Sequence, residues 1–341
     1  MRYIGGKSLL LDNIKSVIEN EVSSISSVID LFAGSGVVSH YFKSRGLRTI
    51  SNDFLYFSYV LSKADIMLNG NPNFDKIGID NPIKYLNSIS ITDTNFKIED
   101  CFIYNNYSPV GTCNRMYFQP ENALKIDIIR MTIEKWKNHS LISENEYFYL
   151  LAALINAVPF VANITGVYAA YLKYWDERTY KPIELKKPVI INNEQDNECY
   201  NLDYTELLSK ECDLLYADPP YNSREYLPNY HILETIARYD YPEIHGVTGM
   251  RNYDSQKSVF CKKNTVYSAF ETLVRDCKSR YILISYNNEA ILSTQELSDI
   301  CQKYAVKGSF KLFEYSYRRY KNKIPNNAKG LKEQLYFLRR Y

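Results

Sequence analysis

Along residues 1–60 the spacing of apolar positions changes more than once. In 8–22, SLLLDNIKSVIENEV, apolar residues recur at the three- and four-residue spacing of an amphipathic helix, behind the turn pair Gly5-Gly6. Residues 26–32, SSVIDLF, are β-branched and apolar in a short run, which predicts a buried strand. AGSG follows, then VVSHYFKSRG, whose spacing and terminal Gly46 predict a capped helix. RTISNDF (48–54) reads as a second strand. Strand, glycine turn, helix, strand is the opening unit of a doubly wound α/β sheet.

From Leu55 to Ile191 the pattern turns helical or irregular. Residues 56–70 read as a helix, and 70–118 are rich in Asn, Asp, Pro and Gly with no steady period. Residues 121–139 predict an amphipathic helix with Ile126, Ile129, Ile133 and Trp136 on one face. Ser143 and Glu146 stand at capping-box spacing before a nearly all-apolar, buried helix, and 165–186 read as an aromatic, basic loop. Strand patterns return at 189–193, 212–221, 279–288, 304–320 and 333–341, with helices at 230–240 and 266–278 between them. The last two strands show period-2 character and predict an antiparallel hairpin closing the sheet. The expected organisation is one α/β domain, 1–60 and 188–341, interrupted by a largely helical domain at 61–187.

Composition narrows this only locally. Net charge is +2, so no global field marks a nucleic-acid partner and basic surface must be local. Such surface is concentrated in 311–341, with nine Lys/Arg against two Glu; Arg318, Arg319, Lys321 and Lys323 interleave with Tyr317 and Tyr320 at an expected hairpin tip. Arg115, Lys173, Arg178 and Lys181 give the insertion its own basic positions, suited to reading bases. Seven scattered cysteines form no Cys-x-x-Cys pair, and the four histidines lie far apart. That predicts free thiols in a reducing cytoplasm and no metal site. The N-terminus has no apolar core of a signal peptide, and no run has the length of a membrane span.

Two motifs carry candidate chemistry. In DLFAGSGVVS, Gly34 and Gly36 let the backbone turn tightly against a ligand at a helix N-terminus, and Asp53 ends the next strand, placed for a ribose hydroxyl pair. Ser39 stands where a dinucleotide fingerprint has its third Gly, which favours a nucleoside cofactor other than NAD. DPPY, at 218–221, follows the apolar strand CDLLYA. Pro219 and Pro220 fix the backbone while keeping their carbonyls as acceptors. The Asp218 carboxylate and Pro219 carbonyl can accept both hydrogens of a flat amine while Tyr221 stacks on its ring. A plain βα turn and a proline-stiffened loop are the alternatives.

Tyr3-Ile-Gly-Gly-Lys7, Asp30-Leu-Phe-Ala-Gly-Ser-Gly36, Asp53 and Asp218-Pro-Pro-Tyr221, in that order, resemble the DNA adenine-N6 methyltransferases of the D12 class, with alpha-type motif order, over almost the whole chain. The resemblance implies a Rossmann-like S-adenosylmethionine-dependent sheet with an inserted helical target-recognition domain. It implies that Tyr3, Gly6 and Lys7 lie near the methionine end of the cofactor, with Asp30, Phe32, Gly34 and Gly36 lining it. Asp53 is then the ribose ligand, Asp203 the acid near the cofactor adenine, and Asp218 a neighbour of both cofactor and substrate. Asp203 reads equally as the N-cap of a helix over YTELL. Arg224 and Tyr226 resemble a restriction-type extension of DPPY that holds the flipped nucleotide.

The mechanism implied is attack of an adenine amine, its lone pair freed by Asp218 and Pro219, on the sulfonium methyl, with the base flipped onto Tyr221. Double-stranded DNA is the expected partner and a cognate restriction endonuclease the functional one, with the protein a cytoplasmic monomer or weak dimer away from membranes. The competing readings are an RNA adenine methyltransferase and a catalytically silent DNA-binding module.

Overall fold

A computed structural model describes residues 6–110, 113–316 and 330–341. Its main sheet contains β1 (Ser27–Asp30), β2 (Arg48–Asn52), β3 (Glu198–Tyr200), β4 (Leu214–Ala217), β7 (Tyr281–Asn287), β8 (Lys311–Ser316) and β9 (Lys332–Arg339); a separate two-stranded ribbon is β5 (Ile244–His245) with β6 (Met250–Arg251). The order across the main sheet is β3-β2-β1-β4-β7-β9-β8. The first five strands pair in parallel, and β9 runs antiparallel to both neighbours. The expected C-terminal hairpin is present, with its second strand inserted beside β7.

Both faces of this sheet are covered, which is why its central strands are apolar without alternation. The helices are α1 (Leu11–Glu21), α2 (Val37–Ser44), α3 (Tyr56–Ser62), α4 (Pro82–Ser88), α5 (Phe102–Tyr107), α6 (Pro120–Asn138), α7 (Glu144–Ala157), α8 (Tyr204–Leu207), α9 (Leu227–Arg238), α10 (Val266–Asp276) and α11 (Thr294–Tyr304). Val28, Leu214, Tyr216 and Leu283 point to one face, under α1 and α2. Ile29, Leu215, Ile282 and Ile284 point to the other, under α8, α10 and α11. Residues 55–185 contain no strand among those described, and they share a third core with the apolar side of α9.

Three sequence expectations change. Residues 189–193 form no strand; the edge strand is the shorter 198–200. Residues 304–310 are not extended either, because α11 runs to Tyr304 and β8 begins only at Lys311. The helix at 294–304 was missed, although Ser293 and Glu296 form a reciprocal capping box before it. The expected 56–70 helix ends early in a π-turn, Lys63–Met67. There the buried Lys43 ammonium donates to the carbonyls of Asp65, at 2.8 Å, and Leu68, replacing partners the turn leaves unpaired.

Candidate active site

A cleft with about 1070 Å³ of free space, counted to its open mouth, lies at the carboxyl ends of β1, β2 and β4. The strand order reverses direction between β1 and β4, the place where open α/β sheets bind ligands. The sequence builds its floor locally. Gly34 and Gly36 take positive φ of 54° and 79°, and Gly36 caps α2 while its N–H bonds the Ala33 carbonyl at 2.8 Å. Asp53 ties this loop to the next strand: one carboxylate oxygen accepts from Gly34 N at 2.7 Å, the other from Leu55 N at 2.8 Å. Ser39 has a task that glycine lacks, since its hydroxyl donates to Asp30 Oδ2 at 2.6 Å. Asp30 Oδ1 is buried and has no hydrogen-bond partner among the described residues.

Three carboxylates therefore converge on one cleft: Asp30, Asp53 and Asp218. Burial pushes each up, Asp30 to about 6, and Asp53 and Asp218 to about 7. The Lys7 ammonium opposes this at Asp218, lying 3.2 Å from Asp218 Oδ1. The Tyr221 hydroxyl donates to the same oxygen. Lys7 also donates to the Tyr221 hydroxyl, its ammonium 4.5 Å from the ring centroid at the hydroxyl edge, while the ring meets Tyr286 at 5.6 Å. Tyr221 is thus buried, with its hydroxyl held between the Lys7 ammonium and the Asp218 carboxylate. Pro220 and Tyr226 line the cleft beside Asp218.

The far wall is aromatic. Phe32 meets Phe260 edge-on at 5.3 Å, and Phe260 meets Tyr204 at 5.0 Å. Asp203 lines this wall and also caps α8, accepting from Thr205 N at 3.0 Å, as the capping reading expects. The wall segment 256–260 and Glu225 were missed from sequence. No motif marks them, and only tertiary packing brings Phe260 to Phe32. Glu225 accepts from Ser258 N at 3.0 Å, and Gln256 donates to Glu234 at 2.9 Å. Buried Glu234 also accepts from Tyr56 N and Phe57 N, linking this wall to the start of α3.

The expected DNA contacts divide. Lys173 and Arg224 are exposed, and Tyr226 is a cleft residue rather than a surface one. Arg178 donates to the Ile164 carbonyl and lies 3.7 Å from Asp176. Arg115 is turned inward: its guanidinium donates to the carbonyls of Asn106, Gly246 and Val247 at 3.0–3.1 Å. Gly249 is required beside it, because a Cβ there would stand 2.9 Å from Tyr107 and 3.0 Å from Arg115. Arg115→Ala is expected to lower the denaturation midpoint and leave the salt dependence of DNA affinity unchanged. A slope reduced by about one phosphate contact would restore its expected role. Tyr3, Arg318, Arg319, Lys321 and Lys323 lie outside the described residues.

Among the described residues no helix is long and apolar enough to cross a membrane. Residues 3–300 match the D12 class N6 adenine-specific DNA methyltransferases. The chain is 46% identical over 346 residues to the type II methyltransferase M.FokI of Planomicrobium okeanokoites, covering 100% of this chain and 53% of that protein. It is 40% identical over 345 residues to the modification methylase StsI of Streptococcus sanguinis, covering 100% and 52%. Against the type II methyltransferase M.NlaIII of Neisseria lactamica it is 36% identical over 325 residues, covering 94% and 92%. The chain spans about half the length of the first two relatives. Motifs, strand order and these matches agree: the chain belongs to the D12 class N6 adenine-specific DNA methyltransferase family.

Proposed function

We propose that this chain is a site-specific DNA methyltransferase that uses S-adenosylmethionine to methylate N6 of an adenine flipped from duplex DNA, within a restriction–modification system. The observation that carries the reading is the cleft itself, where a proline-fixed Asp218 faces the same space as Asp30 and Asp53. A cleft with three buried carboxylates, one with an unpartnered oxygen, suits a ligand bearing positive charge and hydroxyl donors. S-adenosylmethionine fits: its ammonium and sulfonium are cations, its ribose offers two hydroxyls, and its adenine suits the aromatic wall. When bound, it supplies an electrophilic methyl group.

The chain's own residues do the rest. Asp53 and the Gly34–Gly36 backbone hold the ribose side, and Asp30 the cationic side. Phe32, Tyr204 and Phe260 enclose the adenine, with Asp203 at its edge. Asp218 and the Pro219 carbonyl accept the hydrogens of the substrate amine and leave its lone pair directed at the methyl. Tyr221 offers its ring to a flipped base while its hydroxyl stays tied to Asp218. The helical segment 61–187, with the exposed Lys173, and the exposed Arg224 take the DNA contacts. Duplex DNA is the substrate, and a cognate endonuclease is the functional partner.

The three raised carboxylates set a pH dependence. An Asp that is protonated in the fold up to pH 6–7 but ionises near 4 when unfolded stabilises the protein below that lower pH. This stabilisation is lost as pH rises through 6–7. A cationic ligand reverses the sign, because it favours the ionised carboxylates. Saturating S-adenosylmethionine is therefore expected to raise Tm more at about pH 8 than at about pH 5.5. S-adenosylhomocysteine, without the sulfonium, is expected to show a weaker trend. A larger shift at the lower pH would contradict a cationic ligand in this cleft. The substrate is tested by incubation with methyl-labelled S-adenosylmethionine and either unmethylated duplex DNA or total RNA. Label in DNA supports the proposal, label in RNA alone supports an RNA methyltransferase, and no label supports a silent binding module.

A further inference from the structure

Lys7 bridges two acids, not one. Its ammonium lies 3.2 Å from Asp218 Oδ1 and 3.5 Å from Glu333 Oε2. Glu333 sits on β9, between Asn287 of β7 and Tyr315 of β8, and is 5% exposed. Among the described residues its carboxylate bonds only Lys7. A lone carboxylate buried in a sheet is costly and needs a compensating partner. Here the partner is the cation that also pairs with the candidate catalytic acid.

We propose that Glu333 is a positioning residue for methyl transfer: by sharing the Lys7 ammonium, it keeps Asp218 an effective acceptor for the substrate amine. The inference rests on the adenine methyltransferase reading of the cleft. A carboxylate with an ammonium to itself is largely neutralised and accepts weakly from a neutral amine. Two carboxylates on one ammonium leave a net negative charge at the acceptor. Asp218 is faced by Lys7 from the N-terminal turn, Glu333 from β9, Asp30 from β1, Tyr216 from β4, and Tyr221 and Tyr226 from the segment leading into α9. Of these, Lys7 favours the ionised form of Asp218, whereas Glu333 and Asp30 oppose it.

The test is Glu333→Gln, assayed as pH profiles of methyl transfer to duplex DNA alongside Tm and cofactor KM. The expected result is a kcat lowered about tenfold, an acid limb moved down by about half a pH unit, and an unraised KM for S-adenosylmethionine. A purely structural Glu333 would lower Tm and leave the limb where it is, and that outcome overturns the proposal. If Glu333→Gln does not fold, Glu333→Asp withdraws the charge from Lys7 while keeping it nearby. Its kcat is expected to fall with the limb close to wild type, and an unchanged kcat overturns the proposal. A wild-type protein that methylates no adenine refutes the reading of the cleft. A methylating wild type indistinguishable from Glu333→Gln refutes the role of Glu333 alone.

Discussion

Asp218→Asn is expected to lower kcat for DNA methylation by at least about 10²–10³-fold, with the dissociation constant for S-adenosylmethionine changed by no more than a few-fold. The substitution keeps volume and the proline-fixed backbone. It replaces one acceptor oxygen with an NH2 donor, which meets the substrate amine donor to donor. The negative charge that compensates developing charge on the amine is lost as well. Cofactor affinity persists because Asp30 and Asp53 remain in the cleft, and Lys7 retains Glu333. Single-turnover kinetics with labelled cofactor and equilibrium binding measure the two terms separately. A kcat within threefold or so of wild type would remove Asp218 from the chemistry.

Arg130→Ala is expected to destabilise the protein by about 3 kcal/mol or more, an effect remote from the cleft. Arg130 is 2% exposed and belongs to α6. Its guanidinium donates to the carbonyls of Ile236 at 2.9 Å and Ala237 at 3.2 Å, closing the C-terminal end of α9. It also bonds Tyr147 at 3.2 Å and pairs with Glu134 at 2.7 Å. Alanine leaves these buried carbonyls without a donor and opens a cavity among the helices. Urea denaturation gives the stability, and a loss below about 1 kcal/mol would contradict this account of α9.

Much of the candidate cleft's lining was legible because its residues are local in sequence. Asp30, Gly34, Gly36 and Asp53 all belong to β1, α2, β2 and their turns, and Asp218 follows β4 directly. Apolar runs predicted those strands because a parallel sheet buried on both faces permits little else. Edge strand β3 escaped because only Glu198–Tyr200 pair there, and each is half-buried, so little apolar signal is needed. The mostly apolar run at 189–193 mimicked it with two isoleucines and a valine. Phe260 and Glu333 escaped for another reason: their meaning lies in contacts across the chain, Glu333 with a lysine 326 positions away. Arg115 shows what charge alone leaves out. A cation in a basic loop suggests phosphate, but its charge carries no record of the three backbone carbonyls it serves.

The central claim is that the Asp218-Pro219 edge prepares an adenine amine for methylation. Its most direct test is identification of the methylated nucleoside after digestion of duplex DNA treated with this protein and labelled S-adenosylmethionine. The account predicts that the label resides in N6-methyldeoxyadenosine and disappears with Asp218→Asn. Label in a methylated cytosine, or label that persists undiminished in Asp218→Asn, would contradict it.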